Sequence, residues 1–198
     1  MQSIAVSETC ALMPLELRDA DELFDVTDRN RTYLRQWLPW LDNVTRPEDT
    51  RAFIRAARAQ ASQNNGTQLA LRLNGRIVGI VGHHQIDWRN RLTSVGYWVS
   101  EAHQGRGLVT SATCALVNHA FAEARLNRVE IRCAVGNYKS RAIPERLGFR
   151  QEGLLRDAEW LYDQFVDHIV YGMVARDWAV MSKRFADTRR PSDEGAQP

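Results

Sequence analysis

No apolar run in the 198-residue sequence approaches the roughly 20 residues needed to cross a bilayer. No basic N-terminal segment leads into an apolar stretch, so no membrane partner is expected and the chain reads as soluble, untargeted and cytoplasmic. Cysteine is scarce. Cys10, Cys114 and Cys133 are odd in number and far apart, with no CxxC and no Cys/His pair at ligand spacing. That pattern argues against a disulfide frame and against a zinc site, and no metal is expected. An excess of one charge is also missing: 26 basic residues face 24 acidic ones, a net of +2, which gives no electrostatic reason for a nucleic-acid partner. Internal repeats are absent. What is present, 44% hydrophobic and 25% charged residues, suits one globular domain over residues 1–182. Residues 183–198 are polar with two prolines and read as a disordered tail.

The hydrophobic pattern changes period along the chain. A short strand is expected over residues 11–15, then one or two amphipathic helices over 19–35 that carry Leu23, Phe24, Val26, Tyr33 and Leu34. Thr45-Arg46-Pro47-Glu48 resembles a capping box, in which the Thr hydroxyl and the Glu carboxylate each meet an orphan amide before an Ala/Arg-rich helix ending near residues 64–66. From Leu69 the alternation has period two, and Asn74-Gly75 supplies a tight turn between two strands, the second reaching His84. A further strand over 92–100 places Val95, Tyr97 and Val99 on one face and Gly96 and Trp98 on the other. Beyond it come a helix over 109–125, a strand over 128–135, a short helix over 140–147 and a final pair of strands over 150–173.

Between the strand and the helix lies Glu-Ala-His-Gln-Gly-Arg-Gly-Leu, ending at Leu108. Gly105 and Gly107 permit a tight turn and close backbone approach, and the amides at the positive end of a helix suit a pyrophosphate, with Arg106 adding a cation. A glycine pair alone marks an ordinary turn equally well. The third glycine of a dinucleotide-binding loop is missing, as is the Gly-Lys-Ser/Thr of a nucleotide triphosphatase loop.

Two separated stretches in order carry more. Gln104-Gly105-Arg106-Gly107 resembles the signature Gln/Arg-x-x-Gly-x-Gly/Ala of the GNAT superfamily of N-acetyltransferases, with Val109 in its last position. Downstream, Asn137-Tyr138-Lys139-Ser140 and Arg146-Leu147-Gly148-Phe149 resemble the same family's Asn-x-x-Ser, helix, Gly-Phe segment. Within the superfamily the chain is similar to the ribosomal-protein N-terminal acetyltransferases of the Rim type. That similarity rests on Asn30-Arg31-Thr32-Tyr33-Leu34, Trp37-Leu38-Pro39-Trp40, Glu48-Asp49-Thr50, Gly96-Tyr97-Trp98 and Glu159-Trp160-Leu161. The resemblance implies an α+β GNAT fold: a mixed, mostly antiparallel sheet flanked by helices, with one strand pair splayed to bind acetyl-CoA. It implies direct acetyl transfer to a primary amine, foremost the N-terminal α-amino group of a ribosomal protein. A small-molecule amine, a lysine, or a non-catalytic acyl-CoA sensor are the rival readings. Relatives of this type are often homodimers.

Acetyl transfer needs a neutral amine, a stabilised oxyanion and a proton for the departing thiolate. A terminal amine of pKa about 8 sets a milder demand than a lysine at about 10.4, so a carboxylate suffices as base. The resemblance assigns that role to Glu159, with Asp163, Asp167 and His168 as rivals. It assigns the thiolate to Ser140, which also suits a helix N-cap, with Tyr138 as the alternative. Acetyl-CoA would lie along Tyr97, Trp98 and Val99, whose last amide is a candidate oxyanion donor. Its pyrophosphate would meet Gln104, Gly105, Arg106, Gly107, Leu108, Val109 and Thr110, and its pantetheine Asn137 and Ser140. Trp37, Trp40, Tyr97 and Glu159 would face the acceptor. His83-His84 is expected to be structural, since strand neighbours point to opposite faces and cannot share an ion. The arginines at 29, 31, 35, 46, 51, 55 and 58 read as a solvated helix face, and Cys114 and Cys133 as small buried side chains.

Overall fold

The structure, a computed structural model, describes residues 2–187, with 184–187 as backbone only. The strands are β1 (Ile4–Ala5), β2 (Cys10–Pro14), β3 (Thr67–Leu73), β4 (Arg76–His83), β5 (Leu92–Val99), β6 (Arg128–Ala134), β7 (Arg150–Leu161) and β8 (Gln164–Val174). The helices are α1 (Ala20–Arg29), α2 (Arg31–Leu34), α3 (Pro47–Ser62), α4 (Leu108–Ala122), α5 (Tyr138–Arg146) and α6 (Ala175–Asp187). One sheet runs β1-β2-β3-β4-β5-β6-β8-β7, antiparallel throughout except where β5 meets β6.

Asn74-Gly75 makes the expected hairpin, with Leu73 opposite Arg76. The cap of α3 differs from expectation by one residue. Pro47 opens the helix, so Asp49 rather than Glu48 stands three past the cap, and its carboxylate accepts from the Thr45 and Arg46 amides and the Thr45 hydroxyl. Glu48 pairs with Arg51 at 2.9 Å instead. β1 has only two residues and too little length to show a period. The helix α6 is a further departure, because it runs through Asp187 into the stretch expected as tail. Trp178 anchors it, 3% exposed and ring to ring with Phe121 and Phe149, and once started a helix extends without further apolar side chains. The rest of that stretch, 188–198, lies outside the described residues.

Helices cover the sheet on both faces. On one, α1 and α3 bury Leu23 and Ile54 against Ala70, Ile77 and Ile80, with Trp98 at the edge. On the other, α4 buries Leu116, Val117 and Ala120 against Leu71, Val81, Val129 and Ile131. Each fully buried Leu or Ile contributes about 1.5–3 kcal/mol to holding the sheet between these helices.

The consequence for function lies between β5 and β6. β5 pairs with β4 from Val95 to Val99, and β6 pairs with β8 along its whole length from Arg128 to Ala134. The two touch each other only at Leu92, Thr93 and Ser94, opposite Arg128, Val129 and Glu130. Past Ser94 the sheet parts.

Candidate active site

The open end of that split is closed by the glycine loop. Gly105 and Gly107 have φ of 71° and 73°, and Gly107 is the N-cap of α4. Nothing lies within 4 Å of a Cβ built on either glycine, so the left-handed turn, and not crowding, requires them. The first intrahelical bond runs from Ser111 N–H to Gly107 C=O, which leaves the preceding amides of the first turn facing the cleft. Gln104 is braced by Lys139, whose Nζ donates to Oε1 at 2.9 Å. Val109, where the signature has a small residue, is 9% exposed and packs into the α4 core.

Along the split, backbone parity decides which groups are free. His84 N–H donates to Ser94 C=O and Ser100 N–H to Val78 C=O, so the even residues of β5 direct their backbone toward β4. By alternation the amides of Val95, Tyr97 and Val99 point the other way, into the gap left by β6. An extended ligand can pair with that edge as an added strand.

At the mouth of the gap, Asn137 caps α5 by accepting from Ser140 N–H at 3.1 Å. The Tyr97 hydroxyl donates to the Ser140 carbonyl at 3.0 Å and lies 3.4 Å from its Oγ, and Cys133 Sγ is 3.2 Å from the same Oγ. Burial raises the pKa of Tyr97 well above its usual value and also raises that of Cys133, so both stay protonated at neutral pH. Ser140 is therefore both cap and cleft residue. Tyr138 is 71% exposed, outside the cleft, beside the Arg141 guanidinium.

Glu159 reaches the site through a bulge. Residues 156–158 of β7 stand opposite the single Asp167 of β8, Asp157 has φ of 49°, and its amide donates to Asp167 Oδ1 at 2.8 Å. Asp167 is thus spent holding the bulge. Glu159 Oε2 lies 3.5 Å from His168 Nε2, and both line the cleft. The β7–β8 turn docks on the aromatic loop: the Tyr162 hydroxyl donates to Leu38 C=O at 2.6 Å and its ring lies 3.7 Å beneath the Arg35 guanidinium. Trp40 packs at 6.5 Å from Trp98, and Trp37 approaches Gly136.

All the residues expected at the site border one cleft of about 1540 Å³ that passes through the split: Trp37, Trp40, Tyr97, Trp98, Val99, residues 104–110, Asn137, Ser140 and Glu159. Residues that the sequence does not assign to the site border it as well, His84, Cys133 and Lys139 among them. Strand alternation separated His83 from His84, and the pair divides accordingly. His83 is 3% exposed, and burial first, then His119 and His84, depress its pKa to about 4. His84 opens to the cleft. The basic helices are largely occupied within the chain: Arg31 donates to the carbonyls of Leu41 and Val44, Arg35 pairs with Asp42, and Arg51 with Asp21 and Glu48. Among the described residues no group of three or more His, Cys, Asp or Glu is placed to hold a metal, and no helix is long and apolar enough to cross a membrane.

A sheet parted between parallel neighbours, a helix N-terminus at its open end and a carboxylate across the cleft together define an acyl-transfer enzyme of the kind the motifs implied. Residues 10–150 match the acetyltransferase (GNAT) domain model, and the chain belongs to that family of N-acetyltransferases. It is 35% identical to YdaF of Bacillus subtilis (strain 168), over 90% of this chain and 98% of that protein. It is 30% identical to the ribosomal-protein-serine acetyltransferase of Escherichia coli (strain K12), over 87% of this chain and 97% of that one. The fold superimposes with a TM-score of 0.85 and 26% identity on RimL, the ribosomal L7/L12 alpha-N-protein acetyltransferase, in complex with coenzyme A disulfide-bonded to a cysteine, over 89% of this chain and 99% of that one.

Proposed function

We propose that this enzyme, a single domain acting in the cytoplasm, transfers acetyl from acetyl-CoA to the N-terminal α-amino group of a protein, a ribosomal protein foremost, by direct attack in a ternary complex. The observation that carries the reading is the cleft through the split sheet, which Ser140 and the first turn of α4 border together with Glu159, Trp37 and Trp40; the first two suit the donor and the last three the acceptor. Acetyl-CoA supplies an activated thioester. The α4 amides and Arg106 suit its pyrophosphate, and the outward amides of Tyr97 and Val99 suit the pantetheine and the developing oxyanion. Asn137 holds the Ser140 backbone amide, and the Ser140 hydroxyl, which rests its proton on the Tyr97 oxygen, turns that proton to the leaving sulfur. Cys133 lies beside it in the same cleft, and the RimL complex carries coenzyme A disulfide-bonded to a cysteine. Glu159 draws the proton from the amine, directly or through water, held in place by the bulge and His168. Cys133 is buried with a raised pKa, which disfavours an acyl-cysteine intermediate.

Release of free coenzyme A thiol with a panel of N-terminal peptides, lysine-containing N-acetylated peptides and small amines tests the reading. Turnover is expected with free N-terminal peptides. Turnover confined to small amines or lysines would transfer the function to those acceptors, and none with any amine would leave a sensor.

The proposal extends to a homodimer. The two outermost strands of the β7 edge expose Leu154, Trp160 and Phe165 on one face, the last two rings 4.8 Å apart, an apolar surface suited to a second copy. Sedimentation equilibrium is expected to give twice the 22.6 kDa chain mass, and Trp160→Glu to give the chain mass. A wild-type monomer would remove the dimer from the proposal.

A further inference from the structure

The acceptor face of the split carries a polar group that none of the motifs includes. His84 follows β4 and lies across from Ser94, at the point where β5 still touches β6. Its ring covers Gly96: a Cβ built there would meet Nε2 at 2.7 Å and Cε1 at 2.8 Å. The missing side chain of Gly96 is what lets the imidazole reach β5. The next residue is Tyr97, whose amide turns into the gap, so Nε2 ends about one residue's reach from the edge along which the thioester would lie. The other ring nitrogen is occupied, Nδ1 lying 2.9 Å from Ser94 Oγ. Among the described residues Nε2 has no hydrogen-bond partner, and it opens to the cleft.

We propose that His84 is an acceptor-binding residue of the transfer reaction: with Nδ1–H donated to Ser94, Nε2 accepts a hydrogen bond from the attacking amine and aims its lone pair at the thioester carbon. The inference rests on the transferase reading above and adds a contact to it. Burial and the Arg132 guanidinium lower the pKa of His84, which keeps the ring uncharged at neutral pH and its lone pair available. His168 on β8 and Glu159 on β7, the second and third strands beyond the split, lie toward the β7 edge of the same cleft. The amine therefore has one N–H for His84 and one for the route to Glu159. Proton removal stays with Glu159, and His84 orients.

His84→Ala is expected to lower kcat/KM for the acceptor peptide by about 10- to 100-fold, the range for losing one hydrogen bond to a polar or charged group. The KM for acetyl-CoA should stay within about twofold and the melting temperature should not move, the split that a purely structural histidine would not produce. His84→Gln, which keeps a hydrogen-bonding oxygen, should recover part of the loss, and Ser94→Ala should show a smaller loss of the same kind. Two results would overturn the inference: acceptor kcat/KM within twofold of wild type in His84→Ala, or an equal loss in acetyl-CoA affinity or thermal stability. A wild-type enzyme that turns over a peptide while His84→Ala matches it removes His84 alone. A wild-type enzyme inert with every amine removes the transferase reading, and this contact with it.

Discussion

Replacing Glu159 by Gln is expected to lower kcat by about 100-fold or more, the lower end of what a positioned general base contributes, while the affinity for acetyl-CoA stays nearly constant. The amide keeps the size and the approach of the side chain to His168 but cannot take a proton. The bulge at 156–158 and the Asp157–Asp167 bond hold the backbone independently of this side chain, so the variant should fold as the wild type does. The split between turnover and donor affinity separates chemistry from packing, because a packing defect would weaken acetyl-CoA binding and stability as well. Stopped kinetics with a thiol reagent measure kcat, and a kcat unchanged in the variant would remove Glu159 from the mechanism.

Gly107→Val should act on the donor instead. At φ of 73° a β-branched residue is strained even though open space surrounds the position. The strain is about 1–2 kcal/mol, and the chain can relieve it only by turning the first amides of α4 away from the cleft. Calorimetric titration should show acetyl-CoA binding weakened about tenfold or more, and the melting temperature should fall by a few degrees. The acceptor KM at saturating acetyl-CoA should hold. Unchanged donor affinity would mean that the loop does not carry the pyrophosphate.

Most strands and the long helices were legible because each has a period: two along β3, β4 and β5, near 3.6 along α3 and α4. The glycine loop was legible because positive φ leaves few alternatives to glycine. α6 was not, since its buried anchor, Trp178, follows directly on a strand and the residues beyond it are polar. The cap of α3 was misplaced by one residue because the pattern of capping types does not say which residue turns first, and Pro47 decided it.

The division between sequence and tertiary structure is sharpest at the cleft. By itself the sequence determined the order of elements, the left-handed turn at residues 105–107 and the chemical types placed at 137, 140 and 159. Those are local properties, set by backbone sterics and by short-range motif spacing. Only the tertiary structure decided that β5 and β6 part after Ser94, because each keeps a different antiparallel partner. It alone turned Glu159 into the cleft through a bulge, set Cys133 beside Ser140, and spent Asp167 on holding the chain. It also divided two adjacent histidines, burying His83 and opening His84 to the cleft over the bare backbone of Gly96. Such outcomes depend on which surfaces pack across tens of residues of sequence, and that competition is settled only when the whole sheet is assembled.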